Sequence, residues 1–114
     1  MSKFQAALDL YTKELKDKAG VTADPDLLKA VTKACGPAIY NKDSSKVSTS
    51  DPVELERVKK NFLIKKLGLS DGPALDAAMK EVGEQLGKSN KNKYRGMFYY
   101  LLTKKFGKES VFAK

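Results

Sequence analysis

Lys91, Lys93 and Arg95 stand just ahead of Phe98-Tyr99-Tyr100, so positive charge and aromatic rings fall close together near the C-terminus. Cations neutralise phosphates and flat rings stack on bases, and proteins that bind single-stranded nucleic acid combine the two contacts. The wider segment 85–114 carries Lys88, Lys91, Lys93, Arg95, Lys104, Lys105, Lys108 and Lys114 against a single acid, Glu109. Lys88, Lys91, Lys93, Arg95, Lys104, Lys105 and Lys108 form the candidate polyanion-binding set. The competing reading is a row of solvated lysines beside a core phenylalanine. Helical phase places Phe98 in the buried arc, with Tyr99 and Tyr100 flanking it and partly exposed.

A second basic run, Arg57, Lys59, Lys60, Lys65 and Lys66, contains no acid between positions 57 and 66. It could form the positive face of a helix-turn-helix with Gly68 to Gly72 as the turn. The second helix of such a pair carries the base contacts. Here that helix would turn Asp76, Lys80, Glu81 and Glu84 outward, and its acids would repel phosphate. The sequence argues against that version.

Other chemistries find little support. There is no histidine, which removes the Ser-His-Asp and Cys-His pairs and any zinc site built from cysteine and histidine. Cys35 is the single cysteine, so no internal disulfide forms. It falls near the end of its helix, where the dipole disfavours a thiolate, and on the Leu28–Val31 stripe, so it reads as a buried, inert thiol. Asp24 and Asp26 suit the N-terminus of a helix, and Glu81 and Glu84 suit a solvent face. Neither pair sits in apolar sequence that would raise a carboxyl pKa. The glycines are mostly single and at helix ends, which suggests no phosphate-cradling loop. The expectation is a protein that is not an enzyme, with no cofactor and no metal.

The elements that must position these residues are helical. Phe4, Leu8, Tyr11 and Leu15 share one face of a helix over 3–18, stopped by Gly20, while Leu10 points elsewhere. Asp24-Pro25 caps a second helix with a stripe of Leu27, Leu28, Val31 and Ala34–Cys35, ended by Gly36-Pro37. Residues 38–50 read as a loop pinned to the core by Ile39, Tyr40 and Val47. Asp51-Pro52 opens a third helix to about Leu67, with Glu54 as in a capping box. Leu55, Val58 and Phe62 lie on one side of it and Leu63, Ile64 and Leu67 roughly opposite, a pattern that predicts a central helix. Ser70-Asp71-Gly72-Pro73 starts a fourth helix whose Leu75, Ala78, Met79, Val82 and Leu86 align. Ser89 or Asn90 begins a fifth, with Tyr94, Met97, Phe98, Leu101, Leu102 and Phe106 on one broad face.

The expected architecture is all-α, a compact bundle of about five helices forming one domain over 1–114. The chain enters a charged, amphipathic stretch directly after Met1-Ser2-Lys3-Phe4, and its longest uncharged run near the C-terminus is Gly96 to Thr103. A bilayer span needs about 20 apolar residues. A cytoplasmic protein without membrane contact is therefore expected.

The run Ser50-Asp51-Pro52, then Arg57-Val58, then Phe62-Leu63-Ile64-Lys65-Lys66-Leu67 resembles a small bacterial family catalogued only as a domain of unknown function. Asn92-Lys93, Arg95, Phe98-Tyr99-Tyr100-Leu101-Leu102 and Phe106-Gly107-Lys108 strengthen the likeness, as does the loop from Gly36 to Asp51. It runs from about Leu27 onward, the first helix being less distinctive. The resemblance implies a bacterial, cytoplasmic protein of about this length and brings no activity, cofactor or site residue. Residue types thus point to a binding module. Its partner is a nucleic acid or another polyanion or, alternatively, a protein or a second copy meeting Leu10, Tyr99, Tyr100 and Phe112.

Overall fold

Proline and glycine punctuate the chain into helices, and the computed structural model describes residues 3–40, 45–87 and 93–112, with the side chains of 37 and 38 excepted. Five helices are present and no strand among the described residues: α1 (Lys3–Ala19), α2 (Pro25–Cys35), α3 (Pro52–Val58), α4 (Pro73–Gln85) and α5 (Arg95–Lys105). Short 3-10 turns cover Gly36–Tyr40 and Glu109–Val111. The all-α expectation holds.

Local chemistry sets most boundaries. The Asp24 carboxylate accepts from the amides of Asp26 and Leu27, with Pro25 beginning the first turn. Asp51 does the same for Val53 ahead of Pro52. At the ends of α1 and of the α3 region, Val21 N donates to Leu15 O and Leu69 N to Leu63 O, each at 3.0 Å. These six-to-one bonds need a left-handed residue between, supplied by Gly20 at φ 67° and Gly68 at φ 73°. The fourth helix starts differently from the expected cap: Gly72 holds the N-cap position without a side-chain bond, and Asp71 instead lies 3.5 Å from Lys59.

Beyond Val58 the third helix continues as a π-helical segment, Lys59–Ile64. Lys65 N donates to Lys60 O at 3.2 Å and Leu67 N to Phe62 O at 2.9 Å, both bonds reaching back five residues. On an α-helix residues five apart stand about 140° apart. The wider winding brings Val58 and Leu63 onto one side, and Val58, Phe62, Leu63 and Leu67 are all buried. The two opposed stripes expected from sequence therefore merge into one. The third helix is peripheral, which corrects the expectation that it is central.

The central helix is α5, which packs against α1, α2 and α4. Gly96, Met97, Phe98, Tyr100, Leu101, Leu102 and Thr103 are all buried along it. Its start also departs from expectation. Ser89 and Asn90 lie outside the described residues, and the helix begins at Arg95 after an extended Tyr94. Val47 N donates to Lys93 O at 2.8 Å and Arg95 N to Ser45 O at 2.7 Å, so this stretch uses its backbone to pair with the loop before α3. Ile39 and Val47 pin that loop to the core as expected, whereas Tyr40 is exposed. On α2, Thr32 is buried where the sequence favoured Ala34, which is exposed.

Two positions in this core are tight or unsatisfied. A Cβ added at Gly96 would stand 2.6 Å from Tyr11 Cε2 and 3.2 Å from Thr32 Oγ1. The Tyr11 ring is buried and packs on Tyr94 at 5.4 Å between centroids, so it has no room to yield. Gly96→Ala gains about 1 kcal/mol of helix propensity, but overpacking costs about 1–3 kcal/mol. A net loss of up to about 2 kcal/mol is expected in urea unfolding. The Thr32 hydroxyl is fully buried and finds no partner among the described residues. Thr32→Val keeps the shape and removes the unpaired group, which should raise stability by about 1 kcal/mol in the same measurement.

Candidate functional site

The candidate cations of the C-terminal segment separate into different environments. Lys88 and Lys91 lie outside the described residues. Lys93 is 6 % exposed, and burial pushes its ammonium below the ordinary lysine range. Arg95 reaches across to α3: its Nη2 donates to Glu54 Oε1 at 2.8 Å and its Nη1 to Tyr99 Oη at 3.0 Å. The two charged side chains are 13 % and 18 % exposed. Burial opposes the Arg95 charge, but the bonds to Glu54 and Tyr99 prevail and hold the guanidinium above its ordinary range. Lys104 lies 3.4 Å from Glu109, and Lys105 pairs with Glu81 of α4. Lys108 is half-buried. Of the described members, Lys93 and Arg95 are thus taken into the fold, while Lys104 and Lys105 remain exposed beside a carboxylate.

The aromatic half of the expected site is internal as well. Tyr100 is 1 % exposed, and its hydroxyl accepts from the Asp24 amide at 2.8 Å, tying α5 to the entrance of α2. Tyr99 stacks on Phe62 at 4.0 Å between centroids. Phe112 approaches the other side of that cluster, with Lys66 Nζ over its ring at 5.3 Å. Partial exposure was expected for Tyr99 and Tyr100. Tyr100 is instead buried, because α5 is covered by neighbours on most of its circumference.

Solvent-facing cations occur on several helices, and on the third helix they fall in a stretch with no acid between them. Arg57, Lys60, Lys65 and Lys66 are exposed, whereas Lys59 turns toward α4 and lies within 3.5 Å of Glu56, Asp71 and Asp76. Its side chain is 12 % exposed, so its charge is spent on joining the third helix to the start of α4. Lys60 also lies 3.5 Å from Glu56 but remains largely in water. Such an exposed pair is worth under about 1 kcal/mol. Pro52, Val53, Glu56, Arg57, Lys60 and Asn61 line a shallow open groove along this face. The acid-free run 57–66 was the sequence signal for it, read there only as part of a helix-turn-helix.

Among the described residues no three histidine, cysteine, aspartate or glutamate side chains gather as metal ligands. None of the described helices is long and apolar enough to cross a membrane.

A family model described as "Protein of unknown function (DUF2853)" matches residues 10–110. The chain belongs to this family. The match includes Glu54, the third helix and Arg95. No curated protein matches the chain significantly.

Within this DUF2853 chain, Cys35 is half-buried at the end of α2. Burial pushes its thiol from 9.0 to about 12, outweighing nearby Arg95. The Tyr11 hydroxyl also moves to about 12 by burial, with Cys35, Tyr94 and Tyr40 acting in the same direction. Both groups hold their protons to higher pH in the folded chain than in the unfolded one. Stability should therefore be intact below pH 9 and fall as pH rises toward 12, as urea midpoints across that window would register. At pH 8 the native thiol should react with an aromatic disulfide about a thousandfold more slowly than the chain in urea, following its thiolate fraction.

Proposed function

We propose that this protein is a non-catalytic binding module for an anionic partner, nucleic acid or another polyanion, acting in the cytoplasm. Its binding surface is the outer face of the third helix. The observation that carries the reading is the contrast between two sets of cations. Lys93 and Arg95 are drawn into the fold, and Lys104 and Lys105, although exposed, each have a carboxylate partner, as Lys60 has in Glu56. Arg57, Lys60, Lys65 and Lys66 face water on one element whose stretch 57–66 holds no acid. A net charge of +8 adds long-range attraction for any such partner. The alternative of a protein partner or self-association through Tyr99 and Tyr100 loses support from their internal positions.

The test is fluorescence anisotropy of labelled DNA and RNA oligonucleotides, and of labelled polyglutamate, titrated from low to physiological salt. Each engaged phosphate contributes about 0.9 to the log–log slope for duplex DNA. Arg57→Gln/Lys60→Gln should lower that slope by about 2, whereas Lys104→Gln/Lys105→Gln should change it by less than about 1. Absence of binding to all three probes at low salt, or slopes indifferent to the third-helix variants, would overturn the proposal.

A further inference from the structure

We infer that the anionic partner is an acidic polypeptide segment carrying an apolar anchor side chain, seated along the outer face of the third helix. The inference rests on the reading of that face as the binding surface and names its occupant. Val53 is 59 % exposed, more than Leu10 at 38 % or Tyr40 at 47 %. It adjoins Pro52, so an aliphatic step stands at the start of the groove that Arg57, Lys60 and Asn61 continue. Val53, Arg57 and Lys60 are four and three residues apart, which keeps them on one face and spreads them over about 10 Å of helix axis.

The complementary ligand has a hydrophobic group at one end and carboxylates at about that distance. Glu56 lies in the groove 3.5 Å from both Lys59 and Lys60, and a partner carboxylate shares Lys60 with it because that exposed pair is weak. A nucleic acid fits the same face less well. It offers Val53 at most a thymine methyl, and in RNA not even that, while the rings that would stack on bases are turned inward or half-covered. Among the described residues Tyr40 is the only exposed aromatic, and it lies in the turn after α2 rather than on this helix. An acidic peptide needs no stacking platform. Burying Val53 against an anchor adds to the charge contacts an affinity that salt does not screen.

The experiment uses two labelled, capped peptides of glutamate and alanine with equal charge, one carrying a central leucine and the other serine at that position. The leucine peptide should bind the full-length protein about five- to tenfold more tightly. Val53→Ser should abolish that difference without weakening the serine peptide, and Leu10→Ser should leave both unchanged. Because Val53 is mostly in solvent, its variant should unfold with the wild-type urea midpoint, which is measured alongside. Equal binding of both peptides, still dependent on Arg57 and Lys60, would overturn the anchor and leave the polyanion surface standing. Binding of oligonucleotides with neither peptide bound would assign the surface to nucleic acid and overturn the inference alone. Failure of every probe would remove the surface itself.

Discussion

Helix α5 can lie among α1, α2 and α4 only because Gly96 has no side chain where the Tyr11 ring passes. That approach decides what the rest of α5 must be. With neighbours on most sides, its first three turns cannot keep a polar face, and Met97, Phe98, Tyr100, Leu101, Leu102 and Thr103 are all buried. Its polar atoms then need partners inside. Tyr100 finds the free amide of Asp24 at the mouth of α2, and Thr103 donates to the Tyr99 carbonyl. Thr32, set against the same glycine, is the member of this neighbourhood whose hydroxyl goes unpaired among the described residues. A tight interhelical contact and a satisfied polar network are hard to achieve at one point, and here the contact takes precedence.

The same placement redistributes charge. Drawing α5 inward carries Arg95 with it, and a guanidinium with little exposure requires a carboxylate. Glu54 meets it from the first turn of α3, so the residue that would complete a local capping box is used as a long-range tether. Tyr99 bonds the same guanidinium from the following turn of α5 and stacks on Phe62. Arg95, Glu54, Tyr99 and Phe62 thus join α5 to both ends of the third helix. Lys59 fastens that helix to α4 through Asp71 and Asp76. Fixed on these two sides, the third helix has a third direction left for Val53, Arg57 and Lys60.

How far the sequence revealed this depends on the range of the interaction that decides each feature. Asp24-Pro25, Asp51-Pro52, Gly20 and Gly68 act within a few residues, and the boundaries they mark are legible. The stripe Leu75, Ala78, Met79, Val82 and Leu86 is legible for the same reason, since one periodicity governs it and all five are buried. The start of α5 was not legible, because the pairing of Lys46 with Tyr94 joins residues far apart in the chain. The π-helical segment escaped as well: a helical wheel assumes 100° per residue, and Lys59–Ile64 do not obey it. Basic residues can be counted from a sequence, but their exposure cannot. That is why Lys93 and Arg95 entered the candidate site while Arg57 and Lys60 were set aside with a rejected motif.

The π-helical segment also bears on what the outer face can do. A regular α-helix from Pro52 to Leu67 would place Leu63 well away from Val58, and burying both would force the helix to roll between two packed neighbours. By gathering Val58, Phe62, Leu63 and Leu67 on one side, the wider winding lets a single face carry the whole apolar load. The opposite side is thereby released from the core and can hold Arg57 and Lys60 in water along the groove. A π-helical insertion sacrifices regular hydrogen bonding, and such segments are frequent at functional sites. Here its structural effect is specific: it converts a helix whose sequence is apolar on two sides into one with a single buried face and one free, cationic face.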